Sequence, residues 1–323
     1  MSAQTHRRTL LKHLAAAGVL SPLVTACTPA KRDPLRIAAQ PFPGYELIYL
    51  ARELQFFTEN QIKLIETPSA SSNLRGLITR SLDGAFLTLD EVLTSRANGV
   101  DLRVVALLDE SRGADVLIAH NRVKTLKNLK GKTIGVEQTA TGAVLLNAAL
   151  DAAGLTPSDI QTVYIPIENH LSYFSDGKVD AVVTYEPTKS KILSPHTHAL
   201  FSSASIPGQI IDTIAMRSEI IESKSIEIKL LVESHFKARM AWKSTPEKHA
   251  PAMAGRLDLS AKDVPAAFDE IYLTDEQENK QWMTGTPAKL MTHAQYLGEL
   301  MVRHELLKSP PDLKNLFTPK FLP

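Results

Sequence analysis

The stretch KTIGVEQTATGAVLLNAALDAAGLTPSDIQTVYIPI, Lys132–Ile167, decides the fold class. It opens with a short β-branched run, KTIGV, and closes with another, QTVYIPI. Between them Leu145, Leu146, Ala149, Leu150 and Ala153 recur at helical spacing and make one apolar face, and Gly154 supplies a stop. A strand, a helix and a second strand at this spacing predict a βαβ unit, because two parallel strands need a crossover of a dozen or more residues.

The same alternation runs outward in both directions. HLSYFSDGK and VDAVVTYEP (179–187) follow as helix and strand, then ALFSS (199–203) and QIIDTIAMR (209–217) as strands. Upstream, LRIAAQ (35–40), IKLIET (62–67), GAFLTL (84–89), LRVVALL (102–108) and ADVLIAH (114–120) read as strands. GYELIYLARELQFF (44–57), SSNLRGLITRSL (71–82, with Ser71 as a good cap) and DEVLTSRANG read as the helices between them. The pattern predicts an α/β fold with mostly parallel strands. After Ser218 the remainder reads as helical: 225–244, PEKHAPAMAGRL, SAKDVPAAFDEI and 287–307. In the first of these Ile228, Val232, Phe236 and Met240 are spaced to share a face.

Composition agrees with a folded globular chain. The hydrophobic fraction is 44%, the charged fraction 22% and the net charge +1 over 323 residues, enough for one large domain or two ordinary ones. No basic excess points to nucleic acid. The chain holds one cysteine, Cys27, so an internal disulfide is excluded.

That cysteine sits in an unusual place. Residues 6–20, HRRTLLKHLAAAGVL, set a basic stretch before a short apolar run, the layout of an export signal and too short to span a bilayer. Arg7-Arg8 resembles a twin-arginine signal; a Thr or Ser before the pair and a Phe at Leu10 would complete the pattern, so a Sec signal stays open. Val24-Thr25-Ala26-Cys27 resembles a lipobox, in which the cysteine carries lipid and becomes the first mature residue; a plain cleavage site is the alternative reading. Residues 1–26 are then a signal peptide and 27–33 a polar linker. Without the first 26 residues the balance is 33 basic to 35 acidic side chains.

Local enzyme motifs are absent: no G-x-G-x-x-G, G-x-S-x-G, H-E-x-x-H or C-x-x-C occurs. KGKT (130–133) lacks the upstream glycine of a phosphate loop, where Leu126 stands. His196 and His198 have no companion ligands nearby, so neither a metal site nor a cofactor site is predicted.

Five segments in order, PFPGYELIYLARELQFF, SLDGAFLTLDEVL, LKGKTIGVE, GKVDAVVTYEP and SSASIPGQIIDTIAMR, resemble the substrate-binding proteins of ABC importers, in the group of nitrate, alkanesulfonate, taurine and thiamine-pyrimidine binders. The resemblance implies a type II periplasmic-binding-protein fold: two Rossmann-like lobes joined by two crossover segments, with a C-terminal helical return onto the first. It places 34–118 and 214–323 in lobe 1 and 119–213 in lobe 2. It implies a monomeric, exported lipoprotein of the cell envelope, facing the periplasm or the exterior. Such a protein delivers a small molecule to an ABC permease and ATPase complex and catalyses nothing. A sensor presenting its ligand to a signalling receptor is an alternative. A pyrimidine-synthase-like enzyme is disfavoured, since those fungal proteins carry a cysteine-rich motif.

In open α/β sheets ligands sit beyond the carboxyl ends of the strands. The loops there supply Phe42 and Tyr45, flat faces on a Pro-Gly-stiffened turn, although Tyr45 could simply staple its helix. Ser71 either caps a helix or meets a ligand. Thr88 and Asp90 follow the third strand, where Asp90 also suits the helix dipole. Arg112 and Asp115 flank the first crossing. Thr139, Thr141 and Gly142 open a helix and resemble the family's ligand-contacting turn. Tyr185 and Glu186 end a strand, and Asp212 lies at the second crossing. Asp90, Asp115, Glu137, Glu186 and Asp212 outnumber Arg112. Because an unpaired buried charge costs several kcal/mol, this balance predicts a cationic or neutral nitrogenous ligand.

Overall fold

Two mixed sheets carry the chain, and their strand order follows from where it crosses between them. A computed structural model describes residues 33–323; Arg7, Arg8 and Cys27 lie outside that range. Strands β1 (Leu35–Ala39), β2 (Ile62–Glu66), β3 (Gly84–Thr88) and β4 (Leu102–Ser111) build the first sheet. The chain then leaves it, and β5 (Asp115–His120), β6 (Thr133–Val136), β7 (Gln161–Tyr164), β8 (Ala181–Tyr185) and β9 (Thr197–Ser202) form the second. It returns with β10 (Ile211–Arg217), and β11 (Ile271–Leu273) adds an edge. The orders are β11-β4-β10-β3-β1-β2 and β7-β6-β8-β5-β9.

The expected preponderance of parallel strands is corrected here. β1 runs parallel to β2 and β3, and β6 parallel to β7 and β8. Every strand next to a crossing pairs antiparallel: β10 with β3 and β4, and β5 with β8 and β9. A chain that leaves one sheet from β4 and re-enters it as β10 without a helical crossover arrives pointing the other way. The region after Ser218 also holds a strand, β11, which pairs antiparallel with β4 at Asp109–Ser111. The helical pattern on either side of Ile271–Leu273 masks this short run in the sequence. The sheet change after β4 falls between Ser111 and Asp115, a few residues before the 118/119 boundary read from sequence.

Helices cover both faces of each sheet. They are α1 (Glu46–Glu53), α2 (Ala70–Ile78), α3 (Leu89–Ala97), α4 (Ala140–Ala153), α5 (His170–Ser175) and α6 (Thr188–Ile192), then α7 (Ser225–Ser244), α8 (Pro246–Leu257), α9 (Val264–Phe268), α10 (Glu276–Met283) and α11 (Lys289–Arg303). One apolar layer of the first sheet joins α1 to Ile228, Leu231 and Phe236 of α7 and Met253 of α8; the other joins α3 to Leu290, Leu297 and Met301 of α11. The second sheet packs on α4 through Leu145, Leu146, Ala149 and Leu150. The C-terminal segment returns along β4, where Val104 N–H donates to Leu316 O and Thr318 N–H to Val104 O.

Two local readings need revision. Ser69, rather than Ser71, caps α2 by accepting from Ser72 N–H, which leaves Ser71 inside the first turn. On α7, Ile228, Val232 and Phe236 are buried, but Met240 is 56% exposed. A spacing of four advances about 400° at about 100° per residue, so each step drifts about 40° and the fourth position has left the core face.

Candidate functional site

The turn after β1 sets one wall of a cavity between the lobes. Pro43–Tyr45 forms a single 3₁₀ turn into α1, and this brings three aromatic rings together. Phe42 lies 5.1 Å from Tyr45 and 6.3 Å from Tyr185 of the other lobe, and Tyr45 lies 5.3 Å from Phe86. Gln40 holds its place by accepting from Asn73 Nδ2 at 2.5 Å. The cavity has a volume of about 500 Å³, counting the part open to solvent.

Two helix starts face each other across it. Thr88 caps α3 in a capping box, its N–H donating to Glu91 Oε2 at 3.1 Å. Thr139 caps α4 and accepts from Gly142 N–H at 3.2 Å. The hydroxyls of Thr88 and Thr141 pair at 2.8 Å, and Thr141 also donates to Asp90 Oδ2 at 2.9 Å. A second link joins the lobes at Glu137, whose Oε1 accepts from Ser71 Oγ at 2.6 Å. Tyr185 OH donates to Glu137 Oε2 at 3.3 Å. The lobes therefore touch directly across the cavity.

The predicted residues divide cleanly. Phe42, Tyr45, Thr88, Asp115, Thr139, Thr141, Gly142, Tyr185 and Asp212 line the cavity. Ser71 and Asp90 stand one layer behind and hold lining residues through the bonds above. Glu186 accepts from Ser190 Oγ at 3.0 Å and pairs with Lys189 at 3.8 Å, facing α6 instead. Arg112 is the clearest correction. It pairs with Glu110 at 2.8 Å and stacks 4.0 Å over Tyr272, at a different cavity that Asp109, Gly208 and Trp282 also line. Side chains alternate along β4: Asp109 and Ser111 are buried, while Glu110 and the following Arg112 point the other way.

Sequence reasoning missed Gln40, Ala70, Glu91, His170, Val183 and Thr184 as lining residues, and named Glu137 only as one of several acids. The T-x-x-E spacing of Thr88 and Glu91 was a legible capping-box signal. His170 gave none. It is fully buried, and its Nε2 donates to Ile165 O at 2.9 Å while Nδ1 accepts from Thr184 Oγ1 at 3.2 Å. Burial drives its pKa down to about 4, so the ring is neutral.

Carboxyl groups dominate the electrostatics. Burial pushes Asp115 up to about 7 and Asp90 to about 6. Burial, with Asp90 beside it, raises Glu91, and burial raises Glu137 against the pull of Ser71. Asp212 accepts from Tyr45 OH and sits against Asp109; burial and that neighbour hold it well above the carboxylate range. Burial lifts Asp109 to about 7. Among the described residues no lysine or arginine lines the cavity. Lys189, whose charge acts on Asp115, is engaged by Glu186, Glu270 and the carbonyl of Gly113. Among the described residues no group of His, Cys, Asp and Glu is arranged to hold a metal ion.

Known proteins share this architecture. A protein of Escherichia coli (strain K12) named for binding aliphatic sulfonates is 31% identical over 194 residues, 58% of this chain and 60% of its own length. The chain thus spans about 60% of that relative. The alkanesulfonate-binding protein SsuA from Xanthomonas axonopodis pv. citri, bound to MOPS, superimposes with a TM-score of 0.76 over 90% of this chain and 99% of its own, at 18% identity. The desulfurization enzyme DSZB shares the fold at a TM-score of 0.63 and 14% identity, over 90% of this chain and 98% of its own. The fold is that of type II periplasmic binding proteins, and it houses both a binder and an enzyme. Residues 28–257, most of the chain, match the NMT1-like family, and the protein belongs to it.

Proposed function

We propose that this protein is the solute-binding component of an ABC importer, capturing a cationic or nitrogen-bearing small organic molecule between its lobes. The observation that carries the reading is the cavity wall: Glu91, Asp115, Glu137 and Asp212 with three aromatic rings and no lysine or arginine among the described residues. A sulfonate would find no basic partner on this wall, and a buried charge left unpaired costs several kcal/mol. At the helix starts part of the donor set is already engaged, Gly142 N–H by Thr139 and Thr88 N–H by Glu91. A cation would instead find acids that can ionise beside it and the faces of Phe42, Tyr45 and Tyr185. Binding is favoured over catalysis by the likeness to sulfonate-binding proteins, and His170, the histidine at the cavity, has both nitrogens engaged. A general base needs one free.

In this reading, 34–114 with 208–323 forms one lobe and 115–207 the other, and a hinge at the two crossings closes them. A membrane permease with its ATPase receives the ligand from the closed, monomeric protein. Cys27 tethers the exported chain to the membrane through lipid, with residues 27–33 as a short leash.

A thermal-shift screen tests the ligand class. Benzamidine, choline or putrescine at about 100 times its Kd should add about 2.7 kcal/mol of stability, and ethanesulfonate should add none. Stabilisation by ethanesulfonate alone would sink the cation reading. Mass spectrometry of molecules released from gently purified protein would then identify the occupant. The tether is tested separately. Cys27→Ser should move the protein from the membrane to the soluble fraction with unchanged ligand affinity, and a membrane-bound variant contradicts lipid attachment.

A further inference from the structure

Asp109 and Asp212 meet at the joint between the lobes. They are direct partners in the register of β4 and β10, at the end of the strand that leaves the first sheet and the start of the strand that returns. Opposite residues of an antiparallel pair project on the same face, so their carboxyls converge. Both are buried, 0% and 2% exposed. Apart from Asp212, neither oxygen of Asp109 has a hydrogen-bond partner. Gly44 packs on the other side of it: a Cβ there would overlap Asp109 Oδ2. Tyr45 donates its hydroxyl to Asp212 and faces the cavity.

The charged groups that act most on the pair are of one sign; Arg112, which lines a second cavity with Asp109, is paired with Glu110. Glu91 of α3 and Asp115 of β5 act on Asp212 or on its hydrogen-bond partner Tyr45, and Glu110 acts on Asp109. Lys189 of α6 acts on Asp115. Two carboxylates in contact in such a place cannot both ionise, and they hold at least one proton between them.

We propose that capture of a cation in the cleft is coupled to release of the proton shared by Asp109 and Asp212, so that affinity rises with pH. This rests on the cationic reading of the ligand. The ligand's positive charge replaces that of the departing proton beside Asp212, and the proton passes to the buffer. Tyr45 keeps its own, since burial and Asp212 raise its pKa well above 10. Free protein therefore binds more protons than the complex, and linkage makes binding stronger as pH rises until the pair ionises unaided.

The experiment is calorimetry with benzamidine, choline and putrescine at about pH 6 and 8, each in two anionic buffers of different ionisation heat. All three probes remain cationic throughout, so any pH dependence belongs to the protein. Expected are about tenfold tighter binding per pH unit below about 7 and a buffer-dependent heat equal to about one proton released. Asp109→Asn should flatten the slope. A slope unchanged in Asp109→Asn but abolished in Asp115→Asn assigns the proton to Asp115 and overturns the inference. So does binding with no buffer-dependent heat, and in that case the cation reading stands. Failure of all three probes to bind overturns the cation reading and this inference with it. A titration of ¹³C-labelled aspartate carboxyls in the free protein needs no ligand. The pair should titrate jointly with its upper step near or above neutrality, and ionisation of every aspartate by about pH 5 overturns the inference.

Discussion

Ligand-free protein should lose stability as the pH rises from about 5 to 8, and Asp109→Asn should remove much of that loss. The folded pKa of Asp109 stands at about 7 against 3.8 for the free side chain. Between those values the folded state keeps a proton that the unfolded state has given up. Stability therefore falls as pH rises through that window and is lost in full above the folded pKa. A shift of about 3 units corresponds to roughly 4 kcal/mol, large beside a typical total of about 5–15 kcal/mol. Asp115 and Glu46, both raised to about 7 by burial, act in the same direction. Asp83 acts oppositely: burial would raise it, but Arg36 and Lys224 outweigh burial and lower it, so its contribution is lost as pH falls. Maximum stability then lies on the acid side of neutrality. The amide introduced by Asp109→Asn keeps the shape of the carboxyl and can donate to Asp212, removing the like-charge contact. We expect about 2 kcal/mol of stabilisation at pH 8, a rise of about 4 °C in Tm, and little change at pH 5. Urea unfolding at both values checks it. Parallel pH profiles for the two proteins would show that the pair does not carry the dependence.

Gly44→Ala should be among the most damaging small substitutions in the chain. The added methyl would overlap Asp109 Oδ2 and stand 2.9 Å from its Cγ. Asp109 has nowhere to retreat, since its backbone lies in β4 between β10 and β11 and its carboxyl already meets Asp212. The 3₁₀ turn at Pro43–Tyr45 must lift instead, carrying Phe42 and Tyr45 off the cavity wall. Overpacking of this kind costs about 1–3 kcal/mol. Displacing this aromatic wall should weaken ligand capture as well. Pairing the change with Asp109→Ser should restore part of the stability, and the double-mutant cycle measures how much of the damage is this one contact. Additive losses would place the strain elsewhere in the turn.

Much of the fold was legible before any coordinates. α4 runs from Ala140 to Ala153 and ends at Gly154, and α7 spans Ser225–Ser244, both as their periodicity indicates. Helices of this length carry several turns of repeating apolar positions, so the pattern outweighs local noise. Strand β11 was not legible, because three residues hold no period and its pairing with β4 is a non-local event. The aromatic and threonine walls of the site were readable because they occupy loops at strand ends, where an α/β fold gathers its ligand groups. Arg112 failed by one residue of alternation: Ser111 faces inward and Arg112 does not.

What the sequence determined by itself was the alternation of short β-branched runs with amphipathic helices, and hence the α/β class and two lobes. It also determined the excess of acids over bases in the loops between them. What the tertiary structure alone decided was which of those acids meet. In the sequence Asp109 is one residue in a strand of ten, with nothing to single it out. Its importance exists only because β10 returns antiparallel beside β4 and sets Asp212 opposite it. The physical reason is that a carboxyl's pKa and ligand affinity depend on charges within a few ångströms and on exclusion of water. Residues 103 positions apart share neither property until the chain is folded.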